Sequence, residues 1–273
     1  MKAATPIGIV VCIVGILAGA SIEGTPLGGL LNVPAVLIIF GGIAGVSIAT
    51  NGMELMKLMP TLYKKAMTPE FPDVPAIVRQ LVSYAEKARK EGLLALEPEI
   101  AAVEDPFTKK GLQLVVDGTD PELVREILDV EIESMEARHR AAQKLFKDAG
   151  GYAPTIGVLG TVMGLLHVMQ LLQTPELLGP AIAGAFMATL YGVGSANVIF
   201  LPTAGRLAVL TQAEVLARTM VIEGILAIQA GENPRVVQER LLGFMAPAER
   251  EAAQGGGGPN LRAVPDPGEA QAA

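Results

Sequence analysis

Four stretches of the chain run without a single Asp, Glu, Lys or Arg: residues 6–22, 34–50, 153–172 and 180–201. A bilayer core takes about 20 apolar residues as a helix, so each is long enough or nearly so to cross it. Between and after them the pattern changes. Residues 53–150 and 204–251 are dense in both signs of charge. There, Leu123, Ile127, Leu128, Ile132 and Met135 recur at helical spacing. No stretch alternates as a strand does. The pattern predicts an all-α membrane protein, with four transmembrane helices in two hairpins and a helical cytoplasmic domain.

Punctuation refines the elements. Residues 75–91 read as a helix stopped by Gly92, since glycine past the last turn is a common stop. Helical character resumes over 93–116, with breaks expected at Pro98 and Pro106. Asp120-Pro121-Glu122 combines a cap, a first-position proline and a first-turn acid. The helix it starts is expected to reach Ala149 and to be interrupted by Gly150-Gly151. Residues 53–67 form an amphipathic exit from span two, 206–228 are amphipathic, and Asn233-Pro234 opens a last helix to about Met245. The organisation expected is hairpin one (1–52), a cytoplasmic domain (53–152), hairpin two (153–203), C-terminal cytoplasmic helices (204–251) and a low-complexity, disordered tail (252–273).

Charge sets orientation. The loops 21–33 and 173–179 hold Glu23 and Glu176 but no Lys or Arg. Lys2, Lys57, Lys64, Lys65, Lys144, Lys147 and Arg206 flank the other ends of the spans. The positive-inside rule places both termini and both charged segments in the cytoplasm. A cleaved signal peptide is a competing reading, since Lys2, an apolar run and Ala18-Gly19-Ala20 imitate one. Among 273 residues, 51% are hydrophobic and 18% charged, with net charge −7 and mean hydropathy +0.44. An acidic balance argues against a nucleic-acid partner. The single Cys12 cannot form an intrachain disulfide and reads as a small apolar residue.

The candidate chemistry is sparse. Pro154, Gly157, Thr161 and Gly164 share one face of span three, and Ala181, Ala185, Ala188, Gly192 and Ser195 one face of span four, with Thr189 at its edge. Such faces serve close helix packing, or form a groove for another helix in which Thr161 and Thr189 offer oxygens to an ion or water. His167, near the outer end of span three, is the one titratable group in a span besides Cys12 and Tyr191; interfacial packing is the simpler role for it than a proton relay. Pro154 and Pro202, at the cytoplasmic ends of spans three and four, are either punctuation or hinges. There is no metal-ligand spacing and no phosphate-binding glycine loop, and two histidines (His139, His167) leave no Ser/His/Asp set, so no enzyme and no cofactor are expected. A protein that moves ions alone usually keeps an ionisable group at mid-membrane. These spans hold no carboxylate, so if the chain conducts ions a partner must bring one.

Several motifs together resemble one family. Residues 154–164 (PTIGVLGTVMG), 188–192 (ATLYG), 200–202 (FLP), 88–97 (ARKEGLLALE) and 229–235 (QAGENPR) are similar to those of the flagellar-motor stator A-subunits, MotA and its sodium-driven form PomA. The likeness covers residues 1 to about 245, in order. It implies a pentamer in the bacterial inner membrane around two single-span MotB/PomB-type subunits. These supply the membrane Asp, while the cytoplasmic domain turns the rotor protein FliG. Carried over, it implies coupling prolines Pro154 and Pro202, rotor-binding Arg89, Lys90 and Glu97, and an ion pathway at Thr161, Thr189, Thr155 and Ala188. The transported ion is H+ or Na+. Thr161 leans to Na+, whereas Ala188 stands where sodium-type members often carry a second Thr. The nearest alternative is a TolQ/ExbB-type energiser of a periplasmic partner, but those have three spans and an outside N-terminus. A permease would need more spans and polar midplane sites, and a plain scaffold would carry no flux.

Overall fold

In the computed structural model the structure describes residues 4–24, 27–245 and 250. Lys2, Pro26 and the tail 252–273 lie outside the described residues. Among the described residues no strand occurs and there are eleven α-helices. They are α1 (Ala4–Ile22), α2 (Val33–Asn51), α3 (Met53–Lys57), α4 (Met59–Met67), α5 (Val74–Glu91), α6 (Glu97–Ala102), α7 (Pro106–Val116), α8 (Pro121–Gln170), α9 (Pro175–Ser195), α10 (Leu201–Gln229) and α11 (Pro234–Leu242). Four described helical runs are long and apolar enough to cross a membrane.

Capping explains most starts. Asp73, Asp105 and Asn233 each accept a backbone N–H from the first turn of the helix that follows, and Asn32 does so for α2. Gly92 closes α5 at φ 87°, a conformation that favours glycine, and donates its N–H to Ala88. Pro98 and Pro106 each stand in the first turn of a new helix, α6 and α7, where breaks were expected. The last helix stops at Leu242, short of Met245.

The interruption expected at Gly150-Gly151 is absent. Helix α8 runs through Gly150-Gly151 and Pro154 without a break, so span three is its continuation. Glycine stops a helix only where the chain can gain by turning. Here a Cβ on Gly150 would sit 2.7 Å from the Leu201 side chain, so a neighbour packs against the bare backbone. Pro202 likewise does not end span four. Five residues of π-helix, Ala196–Phe200, join α9 to α10, and Leu201 donates its N–H to Ala196. The wider π turn absorbs the missing donor and ring of Pro202, which an unmodified α-helix would meet as a clash. Pro180 lies inside α9, which starts at Pro175.

The described chain divides into two compact units. The first comprises residues 1–72 and 131–215. Its core joins Ile39 and Ile43 of α2, Phe146 and Ala149 of α8, Ala188 of α9, and Phe200, Leu207 and Leu210. Helix α1 contributes no buried residue, and its apolar side chains face outward. The second comprises 73–130 and 216–273. Leu81, Leu96, Phe107, Leu112, Leu128, Met220 and Ile225 are among its fully buried side chains. Arg218 lies over the Phe107 ring at 4.9 Å, and Arg125 pairs with Glu223 at 2.7 Å.

Candidate functional site

The small-residue faces of α8 and α9 pack on each other within one chain. A Cβ on Gly192 would stand 2.5 Å from the Ala153 carbonyl oxygen and 3.0 Å from the Gly157 Cα. One on Gly164 would stand 2.6 Å from Ala185 Cβ, and one on Gly160 2.8 Å from Ala188 Cβ. These contacts fix an antiparallel register in which only glycine allows the backbones so close. The faces thus pack on each other at these contacts, while Gly160, Gly164, Ala181 and Ala185 also border an open groove.

That register brings two hydroxyls together. Thr161 Oγ1 and Thr189 Oγ1 are 2.5 Å apart. Thr161 donates to the Gly157 carbonyl at 3.1 Å, and Thr189 lies 3.4 Å from the same oxygen. Three neutral oxygens thus converge. Two hydroxyl hydrogens serve them, one between the threonines and one to the carbonyl. Rotating both hydroxyls would turn three lone pairs toward one point, a partial shell for a cation. Both threonines are half-buried. Thr155 does not join this group: it is exposed and bonds back to Tyr152 at 2.8 Å. Ala188 is buried beneath Gly160, with its methyl serving as packing. His167 is exposed at the edge of an open groove of about 350 Å3 that also takes in Asn32, Gly164 and Gly184.

The prolines stand at successive levels of the packing, Pro154 near the Gly192 contact and Pro202 near the Gly150 contact. Pro154 follows Ala153, whose carbonyl abuts Gly192, and Gly150 packs against Leu201, the neighbour of Pro202. Both are half-buried.

Sequence periodicity missed the polar ties of α2. At one end, Asn32 donates its backbone N–H to Tyr191 Oη at 3.0 Å, Tyr191 donates to the Leu30 carbonyl, and Asn32 Nδ2 reaches the Gly184 carbonyl at 3.4 Å. At the other, Asn51 Nδ2 donates to Asp148 Oδ2 at 3.2 Å, the oxygen that Lys144 also holds at 2.6 Å. The only sequence signal was a set of polar residues near span ends.

In the second unit, the turn after α5 displays the charged residues. Arg89 and Lys90 end α5, a 3-10 turn (Leu93–Leu96) follows Gly92, and Glu97 begins α6. All three charges are exposed, as is Leu94 between them at 69%. Lys87 and Glu99 close the turn with a 2.7 Å ion pair, and that hydrogen bond raises the Lys87 pKa above 10.5.

Comparison with known proteins agrees with this architecture. Residues 99–220 match the MotA/TolQ/ExbB proton channel family. The chain is 38% identical to motility protein A of Bacillus subtilis over 251 residues, covering 89% of this chain and 91% of that one. It is 32% identical to the chemotaxis protein PomA of Vibrio alginolyticus, covering 85% and 90%. A chain of the flagellar MotAB stator complex from Bacillus subtilis superimposes with TM-score 0.85 at 36% identity, covering 90% of this chain and 97% of that chain. With four membrane-length helices, an oxygen cluster between two of them and relatives of this identity over nearly its whole described length, the chain belongs to the MotA/TolQ/ExbB proton channel family as a stator A-subunit.

Proposed function

We infer that this chain, with a MotB-type single-span partner, forms an ion path whose flux turns a rotor. Copies of it, five as the resemblance implies, surround two partner chains in the bacterial inner membrane, with both termini cytoplasmic. The observation that carries the reading is the cluster of Thr161, Thr189 and the Gly157 carbonyl in spans that hold no carboxylate. Three neutral oxygens solvate a cation but do not neutralise it. The partner's Asp supplies the charge. The co-solved MotAB complexes of relatives support such a partner.

Ion occupancy alters the α8–α9 contact, and Pro154 and Pro202 act as hinges further along the same helices. Arg89, Lys90 and Glu97 carry the movement to FliG. Sodium is the ion favoured, because Thr161 and Thr189 give it oxygens to exchange for water. Thr155 and Ala188 flank the path without ligating in the state described. The test is ion flux into vesicles. Vesicles with this chain alone should stay tight, and those with the partner should conduct. Equal flux without the partner would refute the half-site reading.

A further inference from the structure

Helix α2 is tied to its own chain at both ends, one tie on each side of Pro154. Its Asn32 end is held by Tyr191 and the Gly184 carbonyl of α9. Its Asn51 end is held by Asp148 of α8. The order of contacts along the helices shows what lies between. Gly164 meets Ala185 on the Tyr191 side, Gly192 meets Ala153 at the level of Pro154, and Gly150 meets Leu201 beside Pro202 on the Asp148 side. Helix α2 passes Pro154 with Gly42 against Ile156, and its only proline is in its first turn. It is a 19-residue helix with apolar packing between its two tied ends.

We propose that α2 is a brace across the Pro154 bend of α8, and that Tyr191, Asn32, Asn51 and Asp148 are positioning residues that limit and direct this bending. The proposal rests on the reading of Pro154 and Pro202 as hinges. A hydrogen bond weakens steeply once stretched by a few tenths of an ångström past its contact distance. A bend at Pro154 that moved Asp148 relative to Tyr191 by about 1 Å would therefore break one tie unless α2 moved as a unit. With both ties made, local flexing is converted into a shared displacement of α2, α8 and α9. With one tie lost, the same ion step bends the prolines without carrying the far end along.

The test uses the chain co-expressed with its partner, in Tyr191→Phe and Asn51→Ala variants. Tyr191→Phe removes only the bridging hydroxyl, and Asn51→Ala leaves Asp148 paired with Lys144. Each should insert, capture the partner and conduct ions as the parent does, while stall torque falls about twofold or more. Torque equal to the parent's in both variants, with normal flux, overturns the brace. Failure of both to insert or capture the partner also overturns it, because the ties would then serve folding alone. Pro154→Leu and Pro202→Leu separate the two readings. If they keep full torque the hinge is wrong; if they lose it while Tyr191→Phe and Asn51→Ala do not, the hinge stands and the brace falls.

Discussion

Replacing Gly192 by Ala tests whether the glycine register builds the oxygen cluster. The new Cβ would lie 2.5 Å from the Ala153 carbonyl oxygen and 3.0 Å from the Gly157 Cα, both backbone atoms. Ordinary contact begins near 3.4 Å, so α8 and α9 must separate by roughly 1 Å. No rotamer change relieves a clash with backbone. Overpacking of this kind costs about 1–3 kcal/mol, and each ~1.4 kcal/mol is tenfold in the population of the correctly packed form. Thr189 precedes Gly192 by one turn of the same helix, so the displacement pulls its hydroxyl from Thr161, now at 2.5 Å. Gly194→Ala is the control: nothing lies within 4 Å of its Cβ position. Both changes gain the same helix propensity, so their difference isolates the clash. The purified complex should melt lower and swimming should fail with Gly192→Ala, while Gly194→Ala stays at or above the parent in both. Equal behaviour of the two variants would refute the register argument.

Arg89→Glu should impair swimming at high load with insertion and partner capture intact; exposed pairs contribute only about 0.2–1 kcal/mol each, so a compensating rotor charge should restore it, and unimpaired swimming would place the rotor face elsewhere. Thr161→Ala should weaken the dependence of speed on sodium at fixed pH, and full parental speed in sodium-free buffer would decide for protons. The Lys87–Glu99 pair should hold the charged turn equally well from about pH 6 to about pH 9: the Lys87 pKa is raised in the fold, so the pair's stabilisation is complete below 10.5 and is lost only as pH climbs through the higher folded value. A protease-sensitivity change at the turn within that neutral range, absent from Lys87→Met, would contradict this.

How far the fold was legible depends on the range of the interactions. The spans could be read because burial in lipid excludes charge locally, and the starts of α5, α7, α8 and α11 because Asp and Asn capping is a local event. Gly150-Gly151 do not interrupt α8 and Pro202, which the sequence left open between punctuation and hinge, does not end span four, for a common reason. Each is a local helix breaker overridden by a distant neighbour or by a π turn. Back-bonding of Thr161 to Gly157 was foreseeable from helix geometry. Its meeting with Thr189 was not, since it depends on the antiparallel glycine register. The ties at Tyr191 and Asp148 join residues far apart in sequence and leave no periodic trace.

That same distribution bears on where ion choice resides. The threonine hydroxyls are paired with each other and with a carbonyl, so an entering cation must break those bonds before it gains their oxygens. A proton has no need of them once a carboxylate and water are present. A sodium ion does, because it must replace several waters at once. On the proposed reading, the pre-made threonine pair is therefore a cost to both ions and a return only to sodium. Thr189→Ala in the assembled complex, by removing both the bond and the ligand, should slow sodium-driven rotation while leaving any proton-driven component unchanged. Equal loss in both would assign Thr189 to packing.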